Sequence, residues 1–235
     1  KQTVIGFAWA LVTPVTLMIV FTVFFKRVAK VDPPGDVPYA LFSYVGLLPW
    51  SFFSASVSSG GNSLLSNMSL LNKVYCPREV FPLSSTITAA FDNVIAVTVL
   101  ALLFGINTFM PKATSVWIPV ILVVQIAFTL GVALILSATI VYVRDLRQAL
   151  PILMQMALFA TPVAYGLEKI PESLRGIYPL INPLVAVIEN YRRTILYGQA
   201  PNWEQMGLAS ITAFATLIGG YIYFKKLEPG IADVV

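Results

Sequence analysis

No charged residue interrupts the chain between Val4 and Phe25. At 1.5 Å per residue, a helix of that length crosses a ~30 Å hydrocarbon core. Similar runs recur. Val37–Asn72 is uncharged, although its apolar part ends near Val57, where SVSSGGNS begins. Val80–Met110 carries only Asp92, Ala113–Val143 carries no charge, and Gln148–Leu167 and Gln205–Phe224 complete the series. Only 11% of the 235 residues are charged, against roughly 25% in soluble domains, and the mean hydropathy is +0.81. A soluble chain cannot bury that much apolar surface, so the solvent is lipid. The runs predict an all-α membrane protein forming a single domain, 1–235, with six transmembrane helices over about 4–25, 38–60, 80–105, 114–142, 148–166 and 204–224.

A different kind of segment lies between the fifth and sixth spans. Gly176–Ile188 is uncharged but too short to cross, which suits a re-entrant or interfacial piece. Asn182-Pro183 reads as an N-cap followed by proline at the first helical position. Leu184, Val187, Ile188, Tyr191 and Ile195 then recur at helical spacing, with Glu189, Asn190, Arg192 and Arg193 opposite, and Gly198 is a natural stop. Ile170, Leu174 and Ile177 mark a shorter partner helix upstream. The spacing predicts a short helical hairpin over about 168–198.

Soluble-enzyme chemistry has little to work with. There is no histidine, and Cys76 is the only cysteine, so an internal disulfide is excluded. Gly60-Gly61 is not followed by Lys-Ser/Thr, so no phosphate-binding loop exists and the chain alone is not expected to hydrolyse ATP. Metal-ligating and serine-triad patterns cannot be assembled. A net charge of +4 implies no nucleic-acid partner.

The stretch LLNKVYCPREVFPLSS, residues 70–85, stands out because it sets charges between long uncharged runs. Just before it, Leu64, Leu65, Met68 and Leu71 share one helical face, and Pro77 and Pro82 bracket the charged turn. A short amphipathic helix over about 62–73 either docks into a groove on a soluble partner or packs against its own bundle. Asp92, about a dozen residues into the third span, costs on the order of 2.5–3.5 kcal/mol at membrane depth. It either binds an ion or proton or pairs with a neighbouring helix. Aromatic stripes run along the first span (Phe7, Phe21, Phe25) and the second (Tyr39, Phe42, Trp50, Phe53), as interfacial anchors or as a lining on which sugars stack. Ala209/Ala213 and Ala215/Gly219 permit close helix approach, within one chain or between two.

From residue 141 onward the order of elements carries a resemblance: Arg144-Asp145-Leu146, a helix ending at Thr161-Pro162, then Asn182-Pro183-Leu184, Tyr191-Arg192, and Gly198 to Pro201. With Pro77 to Leu83 and the start GFAWALVTP, it spans essentially the whole chain. The sequence resembles permease subunits of ABC exporters of the ABC-2 type, in the polysaccharide branch, and among these the O-antigen exporters, with teichoic-acid and capsule exporters similar. The resemblance implies a homodimer bound to two copies of a separate ATPase, which holds the ATP and Mg; this chain itself carries no cofactor. It also implies a bacterial inner-membrane location with both termini cytoplasmic, an orientation that the evenly divided basic residues do not decide. The substrate it implies is an undecaprenyl-diphosphate-linked polysaccharide. Leu64, Leu65, Met68, Leu71, Lys73, Arg78 and Glu79 become the ATPase-coupling segment. Phe21, Phe25, Tyr39, Phe42, Phe159 and Tyr165 become the lining of the polymer path, and Arg144 and Arg147 its cytoplasmic mouth, where guanidinium groups attract a diphosphate. Asn182, Pro183, Tyr191 and Arg192 become part of an exit gate. The resemblance further implies an amphipathic helix ahead of the first span; the residues before Val4 are too few to form it, and it is expected to have been removed or to be disordered. Two rival classes are an ion-coupled secondary transporter using Asp92, which predicts internal repeats that the sequence lacks, and a membrane-embedded transferase, which the lack of histidine and clustered carboxylates disfavours.

Overall fold

The computed structural model describes the backbone of residues 4–28, 30, 33–71 and 76–234. The described residues form helices and connecting turns without strands, as expected where lipid offers no partner for a free backbone group. Helix α1 (Val4–Phe21) continues as a wider π-helical turn, Thr22–Val28. There follow α2 (Tyr39–Ser66), the single turn α3 (Met68–Leu71), and α4 (Val80–Ile106). A 3-10 turn, Ala113–Trp117, leads into α5 (Ile118–Tyr142), and α6 covers Leu146–Ala160. The short pieces Leu167–Lys169, α7 (Glu172–Arg175) and α8 (Tyr178–Ile181) precede α9 (Pro183–Ile195) and α10 (Trp203–Val234). Among the described residues, four stretches are long and apolar enough to cross a membrane: Tyr39–Ser66, Val80–Ile106, Ala113–Tyr142 and Trp203–Ile231. Two shorter apolar helices, Val12–Lys26 and Leu146–Ala160, stand where the first and fifth spans are expected.

Helix α2 is the axis of the bundle. Its most apolar window is 78% buried, whereas those of α4 and α10 are 17% and 22% buried and present their apolar side chains outward. Every residue from Leu41 to Trp50 is buried, packed among α1, α4, α5, α6 and α9. The aromatic stripe Tyr39, Phe42, Trp50 and Phe53 is therefore core, with Phe53 stacked on Phe128 of α5 at 5.6 Å.

Three boundaries differ from the expected ones: α10 runs about ten residues past the expected 224, to Val234, and two others differ for a local reason. Helix α2 does not end at SVSSGGNS but runs through Gly60-Gly61 to Ser66. The polar side chains bond back to their own helix: Ser59 Oγ donates to Ala55 O, Asn62 Nδ2 to Ser58 O, and Ser63 Oγ to Gly60 O. The glycines admit α5, since a Cβ on Gly60 would stand 3.0 Å from that of Ala133. Helix α6, in contrast, stops at Ala160, short of the expected 166. Pro162 disfavours helical geometry in the residue before it, and Thr161 is extended, with φ −90° and ψ 135°.

The closest helix contact is between α5 and α10. A Cβ on Gly131 would lie 2.6 Å from the Thr216 carbonyl carbon, and one on Gly220 would lie 2.6 Å from Gly131 O. Of the small-residue pairs read from the sequence, Ala209 and Ala213 are buried inside the chain, whereas Ala215 and Gly219 are exposed and a Cβ on Gly219 would meet nothing within 4 Å. Gly131→Ala should therefore destabilise by about 1–3 kcal/mol, the usual cost of overpacking, while Gly219→Ala should not. Thermal unfolding of the detergent-solubilised protein, followed by size-exclusion profile, distinguishes the two.

Candidate functional site

Breaking α6 at Thr161-Pro162 leaves a run of backbone carbonyls that no helix can satisfy, and unsatisfied buried carbonyls are costly. Side chains of α2, α8, α9 and the stretch itself, with one backbone N–H, take them up. Tyr165 Oη donates to Phe159 O at 2.8 Å and Tyr178 Oη donates to Ala160 O. Thr161 O accepts from Val163 N at 2.7 Å, and Ala164 O accepts from Tyr39 Oη of α2 at 2.7 Å. The remaining three belong to Arg192 of α9. Its Nη1 donates to Pro162 O at 2.9 Å and Tyr165 O at 3.0 Å, and its Nη2 donates to Val163 O. Every carbonyl from Phe159 to Tyr165 thus has a donor.

Arg192 is completely buried. Its guanidinium carbon lies 3.7 Å from the centre of the Phe42 ring, a cation–π contact, and its Nε donates to Phe42 O at 3.3 Å. Space for it exists because position 46 is glycine: a Cβ there would stand 2.5 Å from Arg192 Nη2 and 2.9 Å from Val163 O. Burial lowers the Arg192 pKa to about 10, with Glu189 one turn earlier opposing the fall, so the group remains a cation at neutral pH. Five fixed N–H donors on one plane let a single side chain reach several carbonyls, which a lysine cannot do.

The rest of α9 is anchored similarly. Asn182 caps it, accepting from Leu184 N at 3.1 Å and donating Nδ2 to Thr161 Oγ1 at 2.9 Å, with Pro183 at the first helical position, as the sequence predicts. Gly198 adopts φ +66°, which lets Gln199 N reach Arg193 O at 2.9 Å. Tyr191 is buried, and burial pushes its hydroxyl pKa up. The expected polar side of this helix is not outward. Asn190 is fully buried, accepting from Asn202 N at 2.6 Å and donating to Ala186 O at 2.8 Å, while Glu189 and Arg193 are half-buried. The upstream limb is three short turns rather than one helix, because Pro171 and Pro179 interrupt it.

Sequence reasoning gave no role to Gly46, Tyr178 or Asn190, although it set Asn190 on the polar side of this helix. Of these, only Asn190, a buried amide amid apolar spacing, had a signal. The proposed channel aromatics separate. Phe21 is buried with Phe25 edge-on at 5.6 Å, Tyr39 and Phe42 serve the Arg192 cluster, Tyr165 is half-buried, and Phe159 is exposed. Arg144 and Arg147 are exposed in and just beyond the turn joining α5 to α6. Asp92 is exposed on α4 and lines a groove of about 300 Å³ with Thr13, Ser51, Ser54, Ser58 and Asn93.

At the opposite end of the bundle, the charged turn is tied into its own chain. Lys225 of α10 bonds Glu79 at 2.8 Å and Glu228 at 2.9 Å, and Arg78 Nη1 donates to Glu228 O. Burial works against ionisation of Glu79, but the Lys225 hydrogen bond outweighs it and holds the carboxyl below the usual carboxylate range. Leu64 is fully buried beside Phe81, Leu134 and Phe224, so its side chain belongs to the bundle rather than to a docking face. Leu65 and Met68 are half-buried, while Ser66, Ser69 and Leu70 are exposed. Lys73 and the side chain of Leu71 lie outside the described residues.

A family model described as ABC-2 type transporter matches residues 1–196. An O-antigen export system permease protein RfbA of Klebsiella pneumoniae is 28% identical over 236 residues, covering 100% of this chain and 89% of the relative. A protein of the same name from Myxococcus xanthus is 31% identical over 226 residues, covering 95% and 86% respectively. A polysialic acid transport protein KpsM of Escherichia coli is 24% identical over 235 residues, with 95% and 86% covered.

Two outcomes test these assignments. Arg192→Lys and Gly46→Val should each cost about 3 kcal/mol or more, since either leaves buried carbonyls without donors; both should reduce folded yield and thermal midpoint, with Phe159→Ala as a neutral control. The Glu79 pair should be felt at acid pH. A carboxyl with a depressed folded-state pKa contributes stability above its unfolded pKa, and that contribution is lost as pH falls through the folded value. Thermal midpoints of the native chain should therefore drop on acidification more steeply than those of Glu79→Gln.

Proposed function

The chain belongs to the ABC-2 type transporter family, and from that membership we propose that it is the transmembrane subunit of an ATP-driven exporter of a lipid-linked polysaccharide, an O-antigen by preference. The observation that carries this reading is the end-to-end similarity to O-antigen export permeases, 27–31% identical over 95–100% of the chain. A capsule polysaccharide is the second reading, supported by the more distant polysialic acid transport proteins at 22–24%.

In this reading six segments cross the bacterial inner membrane: α1 with its π-helical extension, α2, α4, α5, α6 and α10. Helix α6 has 15 residues, about 22 Å of rise, and the extended stretch after Ala160 completes the crossing. Non-helical backbone at that depth is tolerated only where protein covers it, and the Arg192 cluster supplies the cover. Both termini are cytoplasmic. Two copies of the chain form the conduit and bind two ATPase subunits, which hold ATP and Mg. Residues of about 168–198 are the exit gate, with Asn182, Pro183, Tyr191 and Arg192 fixing its resting position. Phe159 and Tyr165 face the polymer path. Arg144 and Arg147 meet the undecaprenyl diphosphate head at the cytoplasmic mouth.

The coupling contact lies where α2 gives way to α3. The burial of Leu64 anchors that tip to α4, α5 and α10, so that a push on the exposed residues is passed into the bundle. Glu79 and Arg78 stiffen the same end by binding α10. An ion-coupled mechanism through Asp92 has no second carboxylate in its groove to support it.

A gentle-detergent purification from the native membrane, with co-purifying chains identified by mass spectrometry, tests the reading. A stoichiometric subunit carrying a P-loop is expected, and Met68→Glu with Leu70→Glu should release it without unfolding the permease. Recovery of the permease with no ATPase would overturn the exporter assignment.

A further inference from the structure

Beside the Arg192 cluster lies a second, polar pocket of about 270 Å³, just under the ~300 Å³ at which small-molecule sites begin. Glu168, Glu189, Arg193, Tyr197 and Gln199 line it, with Phe42. Gly166 and Leu167, which also border it, directly follow the carbonyl run that Arg192 fixes. The Glu168 carboxylate folds back towards Gly166, its Oε2 3.8 Å from where a Cβ on that residue would stand. The backbone of Gln199 is pinned to Arg193 O at 2.9 Å.

Two lining groups lack the partners that a closed protein surface would give them. The Tyr197 hydroxyl is buried with no hydrogen-bond partner among the described residues. Glu189 makes no ion pair within 4.0 Å among the described residues, because the neighbouring Arg192 guanidinium is spent on carbonyls and the Arg193 Nε is turned to Ala200 O at 3.3 Å. Burial raises the Glu189 pKa in consequence.

The charge pattern restricts what fills the pocket. Two carboxylates repel an anion. A bare divalent cation would face a guanidinium, and no group of three metal-ligating side chains occurs among the described residues. A neutral polyhydroxyl compound suits every group: its hydroxyls donate to Glu168 and Glu189 and accept from Arg193 and Tyr197. We propose that this pocket binds a single sugar unit of the exported glycan at the gate, through Glu189, Arg193 and Tyr197. The proposal rests on the exporter reading. One small pocket holding one unit is also the arrangement that transport requires, strong enough to engage the chain and weak enough to release it, as at other conduction sites.

Site-directed photocrosslinking in cells exporting their own glycan tests it. Gln199→p-benzoylphenylalanine places the probe at the pocket rim, and Phe159→p-benzoylphenylalanine places one in the proposed polymer path. A glycan-positive permease conjugate at position 199 is expected. Glu189→Gln should reduce its yield about tenfold or more, the effect of losing one charged hydrogen bond, and Tyr197→Phe should also lower it, while the conjugate at 159 persists. Tyr197→Phe keeps the test decisive where Glu189→Gln fails to reach the membrane. A conjugate at 159 alone, or one at 199 indifferent to both substitutions, overturns the sugar site and leaves the exporter standing. No conjugate at either position overturns the exporter reading and the site with it.

Discussion

A helix that stops inside a bundle exposes carbonyls that something must satisfy, and here the guanidinium of Arg192 meets the largest single share of that demand, three of the seven from Phe159 to Tyr165. The Thr161-Pro162 break, the glycine at position 46, the ring of Phe42 and the hydroxyl of Tyr39 all make sense only as parts of that one arrangement. It joins three elements far apart in sequence, with Arg192 bonded to Phe42 across 150 positions and to the stretch after α6 across about 30. The low dielectric that makes a bare carbonyl costly also strengthens each of these bonds. Helix α9 is consequently buried on most of its surface, and the pocket lined by Glu189 and Tyr197 inherits its shape from the same backbone.

The ends of the bundle follow different rules. At the end carrying Arg192, buried polar groups are paired with backbone, and position is set by hydrogen bonds. At the end carrying residues 76–79, the ties are ionic and half-exposed, and exposed ion pairs are individually weak. Glu79, Lys225 and Glu228 form a small network that joins the start of α4 to the end of α10. The charges of Arg78 and Glu79 thus serve this chain's own cohesion first, and Ser66, Ser69 and Leu70 are the residues exposed at the same tip.

Length and hydropathy made the long helices legible, because lipid allows few alternatives to a helix and the charge-free runs mark where each must lie. The N-cap at Asn182 and the turn at Gly198 were legible for a local reason: each is determined by one residue and its immediate neighbours. What the sequence concealed depends on partners distant in the chain. Gly60-Gly61 reads as a helix end until α5 is seen to need the space. Arg192 reads as a solvated charge on an amphipathic helix until the carbonyls after α6 are seen to need a donor. Leu64 reads as a docking residue until Phe81 and Phe224 close over it. At Gly60-Gly61 the local pattern misplaced the helix end; at Arg192 and Leu64 it was correct about the helix and silent about which face meets what.

The Arg192 cluster also imposes an order in time. Phe42, Tyr39 and the stretch after α6 all leave the ribosome before Arg192 does, at rates of roughly 5–20 residues per second. Until residue 192 arrives, the carbonyls of residues 162, 163 and 165 have no donor. The stretch after α6 therefore reaches its final hydrogen bonding only once α9 has been made. A chain ending between α6 and α9 lacks the donor that these three carbonyls take in the complete fold, so one late arginine closes an arrangement whose other parts are made well before it.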